Sequence, residues 1–212
     1  MNKIPNWVDG ISIYCEWLYE TNRLTIKLTG LDCINNSDEM KKVFLDVSHN
    51  MVKLVPCEAD YKKQTVRPAP TDGVFNFSPE LNFLKEDYEK LFFEYNGLLY
   101  KIKIIRNKSE HEPHNLKMPS SSSGSSSYPN VIFEYDGIKY DIKTEEFIDI
   151  IIKLNIIFDK IIFELKLFRD ANTEKYGEHP YLIRYTSLDY ERFNKILKSN
   201  LLSDTGKIIK EF

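Results

Sequence analysis

FEYNGLLYKIK, residues 93–103, and FEYDGIKYDIK, residues 133–143, share Phe, Glu, Tyr, Gly, Tyr, Ile and Lys in the same order and spacing. Asn96-Gly97 and Asp136-Gly137 each sit between runs that alternate apolar and polar residues. A type I′ turn needs positive φ at both central positions, which Asn or Asp followed by Gly adopts at low cost. The aromatics Phe93, Tyr95 and Tyr100, like Phe133, Tyr135 and Tyr140, suit paired strands. Both stretches predict β-hairpins. Their likeness is either a duplicated hairpin unit or one turn grammar used twice, and in both cases the shared letters serve folding rather than chemistry.

Outward from these stretches the same grammar continues. ISIYCEWLY and RLTIKLTGL (11–19 and 23–31) alternate around Glu20-Thr21-Asn22 and predict a further hairpin. VFLDV and MVKLV flank Ser48-His49-Asn50 as another, although Met40, Val43, Phe44 and Val47 also keep helical spacing. Residues 57–73 carry Pro and Gly punctuation and predict a loop. Ser78 suits an N-cap and Pro79 a first helical position, with Leu81, Leu84, Tyr88 and Leu91 as the stripe of a helix over 79–91.

Past the second hairpin, Thr144 opens a helix with Phe147, Ile151, Leu154 and Phe158 on one face. IIFELKLF (161–168) predicts a strand with Phe163, Leu165 and Leu167 on one side, and YLIRYTS (181–187) another. Residues 187–202 predict a capped amphipathic helix. The expected class is α+β: mainly antiparallel sheets built from hairpins, with helices packed on one face.

Residues 119–129 stand apart, with seven serines and a glycine in the eight positions 120–127. Such a run is a flexible linker, natural or an engineered loop replacement. It divides the chain into a β-rich module over 1–118 and an α+β module over 130–212.

At 212 residues, 42% hydrophobic and 13% aromatic, the chain can bury a core. Its net charge of −3 argues against a general polyanion binder. Cys15, Cys33 and Cys57 are odd in number and lack C-x-x-C spacing, so they imply neither a disulfide framework nor a closed zinc site. The start has no apolar signal core, and charges interrupt the apolar run 147–168 too often for a membrane span. A soluble cytoplasmic protein without a membrane partner is expected. The scarcity of alanine and wealth of Ile, Lys, Asn, Tyr and Phe suggest an AT-rich bacterial or phage genome.

Chemistry is sparsely signalled. On a strand, Glu164 and Lys166 share a face. With an upstream acid, Asp141 or its neighbours Asp136 and Asp149, this resembles the D…(D/E)-x-K site of restriction-type nucleases, and the resemblance implies Mg²⁺ held by the carboxylates. The plainer reading, a solvated strand face, outweighs it. His111 and His114 flank Pro113, which breaks any helical metal face. Lys101 and Lys103, with Arg106 and Lys108, form the most basic run, and Tyr95 and Tyr100 offer stacking platforms for a nucleic acid. Without phosphate-binding glycine motifs or a nucleophile–base pair, the favoured expectation is a non-enzymatic module needing no cofactor. It binds another protein through exposed aromatics and loops, with Tyr95, Tyr100, Lys101, Lys103, Tyr135 and Tyr140 as candidate contacts, in the manner of immunity, inhibitor or defence-accessory proteins. The oligomeric state is left open by the sequence.

Overall fold

The computed structural model describes residues 4–29, 37–69, 81, 84–112, 115, 117 and 131–203. The serine-rich stretch, His114 and the predicted helix start at Ser78-Pro79 lie outside them. In chain order the elements are α1 (Asn6–Thr29), α2 (Ser37–Leu54), β1 (Cys57–Asp60), β2 (Thr65–Pro68), α3 (Lys85–Glu94) and α4 (Asn96–His111). There follow β3 (Val131–Tyr135), β4 (Ile138–Ile142), α5 (Thr144–Ala171), α6 (Thr173–Tyr176), α7 (Pro180–Thr186) and α8 (Tyr190–Ser203). The fold is α+β: β1–β2 and β3–β4 are two antiparallel two-stranded sheets among the helices.

The two look-alike stretches part company. Residues 133–143 form the expected hairpin, with Phe133 opposite Tyr140 and Tyr135 opposite Ile138. Asp136 and Gly137 take φ of 48° and 76°, as a type I′ turn requires. Residues 93–103 instead end α3 and enter α4. Tyr95, Leu98, Leu99, Ile102 and Ile105 are all buried, a helical stripe, while Phe93 is 88% exposed. The apolar Leu99, where the second copy has Lys139, breaks the two-residue alternation and completes that stripe. Asn96 makes no turn. Its side chain donates to the Val66 carbonyl (2.8 Å) and accepts from the Val66 N–H (3.0 Å), pinning β2 to the start of α4.

Three further expected strand regions are helical. Residues 11–29 belong to α1, whose buried positions Val8, Ile11, Cys15, Leu18, Asn22 and Thr25 are spaced by three and four. The two polar members hide that stripe from a count of apolar letters. Of the two patterns weighed for 43–55, the helix holds, as α2, so His49 is a helical residue and not a turn residue. Residues 161–168 continue α5, and 181–186 form α7 with Pro180 in its first turn. In the other direction, the expected loop at 57–73 contains the β1–β2 hairpin.

α1 and α2 form an antiparallel pair: Lys27 meets Glu39 at one end (2.6 Å), and Lys53 lies over the Trp17 ring further along. Phe44 of α2 places its ring 5.1 Å from both Phe133 of β3 and Phe147 of α5. α5 runs past α1, α7 and α8. At its middle Asn155 bridges Asn22 of α1 and Asn194 of α8, all three buried.

α8 is docked by acids at its N-terminus. Asp189 accepts from the Arg192 N–H (2.9 Å), and Asp159 of α5 accepts from the Tyr190 N–H (3.3 Å). The Tyr190 hydroxyl donates to the Cys15 carbonyl (2.6 Å), tying α8 to α1. Burial pushes the Asp159 carboxyl from 3.8 up to about 6; the Tyr190 N–H opposes the rise, while Asp189 and Glu191 add to it. Because the folded pKa is raised, the resulting stabilisation is complete below pH 3.8 and is lost as pH climbs through 6. Asp159→Asn keeps the acceptor and removes the charge. The variant should match the parent in stability near pH 4 and exceed it above pH 7, by about 1 kcal/mol after allowing for solvent on its open side. Urea titrations across this range check it; equal curves at all pH values would contradict it.

Candidate interaction surface

α5 turns the predicted strand pair Glu164 and Lys166 into helical neighbours. Two residues apart on a helix is about 200°, so the two side chains leave on opposite sides rather than sharing a face. Glu164 is half-buried and Lys166 exposed, and Asp141 is exposed on β4. Among the described residues, no group of three or more His, Cys, Asp or Glu side chains is arranged to hold a metal ion. His111 ends α4 in the open. His49 pairs with Glu110 at 3.3 Å, and its pKa is lowered by burial first and then by Lys53 and Arg106.

The six candidate contact residues separate into two places. Tyr100, Lys101, Tyr135 and Tyr140 lie where the two hairpins meet α4. Lys101 Nζ donates to the Asp141 carbonyl (2.6 Å). The pKa of Tyr140 is raised by burial, then by Tyr100, while Lys108 opposes. The Tyr135 hydroxyl bonds to Glu112, with Lys108 Nζ 4.0 Å from its ring centre. Tyr100 and Tyr135 are buried, so these rings join the hairpins to α4 and offer no open face for stacking. Lys103, half-buried on α4, opposes the burial-raised pKa of Cys57.

Tyr95 belongs to the second place, the junction of α3, α4 and α5. Its hydroxyl bonds to Asp149, and Lys153 sits 4.8 Å from its ring centre. Lys153 also meets Glu94 at 2.5 Å, and Lys160 meets Asp87 at 2.5 Å. The Lys153 pKa is raised by the bond to Glu94 first and by Tyr95 second. These bridges fasten α3 antiparallel along α5. Between them runs a groove of about 200 Å³ lined by Lys90, Leu91, Ile156, Ile157 and the bridging residues. That volume is below the roughly 300–1,000 Å³ of small-molecule sites and suits a single inserted side chain.

The outer face of α5 beside this groove is apolar and uncovered. Ile156 is 48% exposed, Phe163 58% and Leu167 49%. Spaced seven and four residues apart, they stand on one line along the helix. The strand reading grouped Phe163 and Leu167 with Leu165, which is fully buried on the opposite side. The signal in the sequence is the second stripe that remains once the buried one is assigned. Among the described residues, no helix is long and apolar enough to cross a membrane. No family model, curated protein or solved structure matches the chain.

Proposed function

We propose that the chain is a non-enzymatic protein-interaction module that docks a protein partner on the outer face of α5, with the α3–α5 groove receiving one partner side chain. The observation that carries this reading is the line Ile156, Phe163 and Leu167, three large apolar side chains half open to solvent on one helix face. Burying such a line is the hydrophobic centre an interface requires. The ion pairs Lys153–Glu94 and Lys160–Asp87 then act as a polar rim that excludes water around it.

Capture of partners from a host extract by the full chain tests the reading. Phe163→Glu should cut recovery of a stoichiometric protein at least about tenfold, because a charge would have to be buried at the interface centre. It should leave melting nearly unchanged, since Phe163 is 58% exposed. Tyr61→Ala, an exposed aromatic of the β1–β2 turn, should leave recovery intact. Recovery that depends on nucleic acid, or that ignores Phe163→Glu, would contradict the proposal.

A further inference from the structure

We infer that docking on the α5 face is coupled to a proton: covering the face closes the open side of Asp159, so the complex takes up a proton there and holds its partner more tightly in mildly acidic than in mildly alkaline solution. The inference rests on the reading of that face as a docking surface and names what regulates it.

Asp159 stands beside the apolar line. It lies three residues after Ile156 and four before Phe163, the spacings at which helical side chains are neighbours. On its other side is the start of α8, where its carboxyl accepts from the Tyr190 N–H at 3.3 Å. Tyr190 is held in place, fully buried and bound through its hydroxyl to the Cys15 carbonyl. Asp159 is thus half-buried in the free chain, between a fixed helix start and the uncovered line.

The charges around the face set Asp159 apart. Glu94 is matched by Lys153, Asp87 by Lys160 and Asp170 by Arg169. Among the described residues, no ion pair engages Asp159. Asp189 and Glu191, at the start of α8, act on it with like charge, and Lys166, two turns along α5, opposes them less strongly. Water on the open side therefore supports the ionised form. A partner seated over Ile156, Phe163 and Leu167 removes that water. The carboxylate would then keep one backbone bond and two like-charged neighbours, and it takes a proton instead. Protonated, it still accepts from the Tyr190 N–H through its carbonyl oxygen.

The direction of the pH effect follows. In the free chain the Asp159 carboxyl is already raised to about 6, burial being the largest cause, and coverage raises it further. Below that value both the free chain and the complex carry the proton, and affinity is highest. Above it the free chain is ionised while the complex still takes the proton, so affinity falls by up to about tenfold per pH unit until the complex ionises too.

The complex captured from host extract by the immobilised full chain is washed at graded pH, and its release rate is read. Release should be about tenfold faster near pH 8 than near pH 5, because affinity differences of this kind appear mainly in dissociation. Asp159→Asn fixes the uncharged state and keeps the acceptor, so its release should stay slow throughout, with circular dichroism verifying its fold. Carboxyl-carbon NMR of Asp159 reads the coupling without kinetics: the titration midpoint should move up by about one pH unit or more on binding. Release that is indifferent to pH, faster in acid, or as pH-dependent in Asp159→Asn as in the parent overturns the inference, as does a midpoint unmoved by binding; capture that needs Phe163 then leaves the docking face standing. If no stoichiometric protein is retained, or retention ignores Phe163→Glu, the docking reading fails and the coupling falls with it.

Discussion

Asn155→Ala should lower the stability of the chain by about 4 kcal/mol, more than the size of the deleted group would suggest. Asn155 lies at the middle of α5 with none of its surface exposed. Its Nδ2 donates to Oδ1 of Asn22 (2.8 Å) and of Asn194 (2.7 Å), and its Oδ1 accepts from Nδ2 of Asn22 (2.6 Å). Asn22 also donates to the Leu18 carbonyl, and Asn194 to that of Ile152. Truncating Asn155 strands two carbonyl oxygens and one N–H in a dry core, each costing about 1–3 kcal/mol. The triple variant with Asn22→Ala and Asn194→Ala should cost far less than the sum of the three single changes, because it leaves no polar group behind. Urea unfolding of the parent and the four variants measures both effects. A loss under about 1 kcal/mol for Asn155→Ala, or additive costs, would mean that the three amides do not act as one network.

The second large effect belongs to Phe44. Its ring is fully buried and meets Phe133 and Phe147, so one side chain joins α2, β3 and α5. Phe44→Ala should cost about 3–5 kcal/mol through lost burial and the cavity left behind. A two-stranded hairpin has little stability of its own. Hydrogen exchange at Phe133 and Tyr140 should therefore accelerate more than exchange in α1, which Phe44 does not contact through these rings. Uniform acceleration across the chain would show that the β3–β4 hairpin has no independent dependence on this contact.

The same residues explain what the sequence made legible. The Asp136-Gly137 hairpin, the start of α5 at Thr144 and the helix α8 follow from turn chemistry, first-turn acids and apolar spacing, all local signals. α1 was hidden because the stripe that buries it includes Asn22 and Thr25, and the second half of α5 was hidden because its exposed Phe163 and Leu167 give, with buried Leu165, the two-residue alternation of a strand. A polar residue whose partner lies on another helix reads as solvent-facing until the tertiary structure supplies that partner. The first look-alike stretch failed for a related reason. Asn-Gly permits a turn without requiring one, and Asn96 is held by the distant Val66 backbone. Burial of Tyr100 and Tyr135 was equally out of reach, since an aromatic on a half-polar element looks the same whether it faces solvent or a neighbouring hairpin. The α5 face was written in the sequence, as the seven- and four-residue spacing of Ile156, Phe163 and Leu167, but it emerges only after Leu165 and its companions have been assigned inward.

The most direct measurement of the central claim, that the outer face of α5 is a docking surface, is hydroxyl-radical footprinting of the full chain, free and in its captured complex. Side-chain oxidation reports exposure residue by residue. In the free chain Phe163, Leu167 and Phe93 should react, and Phe147 and Phe158 should not. On complex formation Phe163 and Leu167 should become protected while Phe93, turned out from α3, keeps its reactivity. Protection of Phe93 or Tyr181 with Phe163 unchanged would contradict the account and move the interface to another face of the molecule.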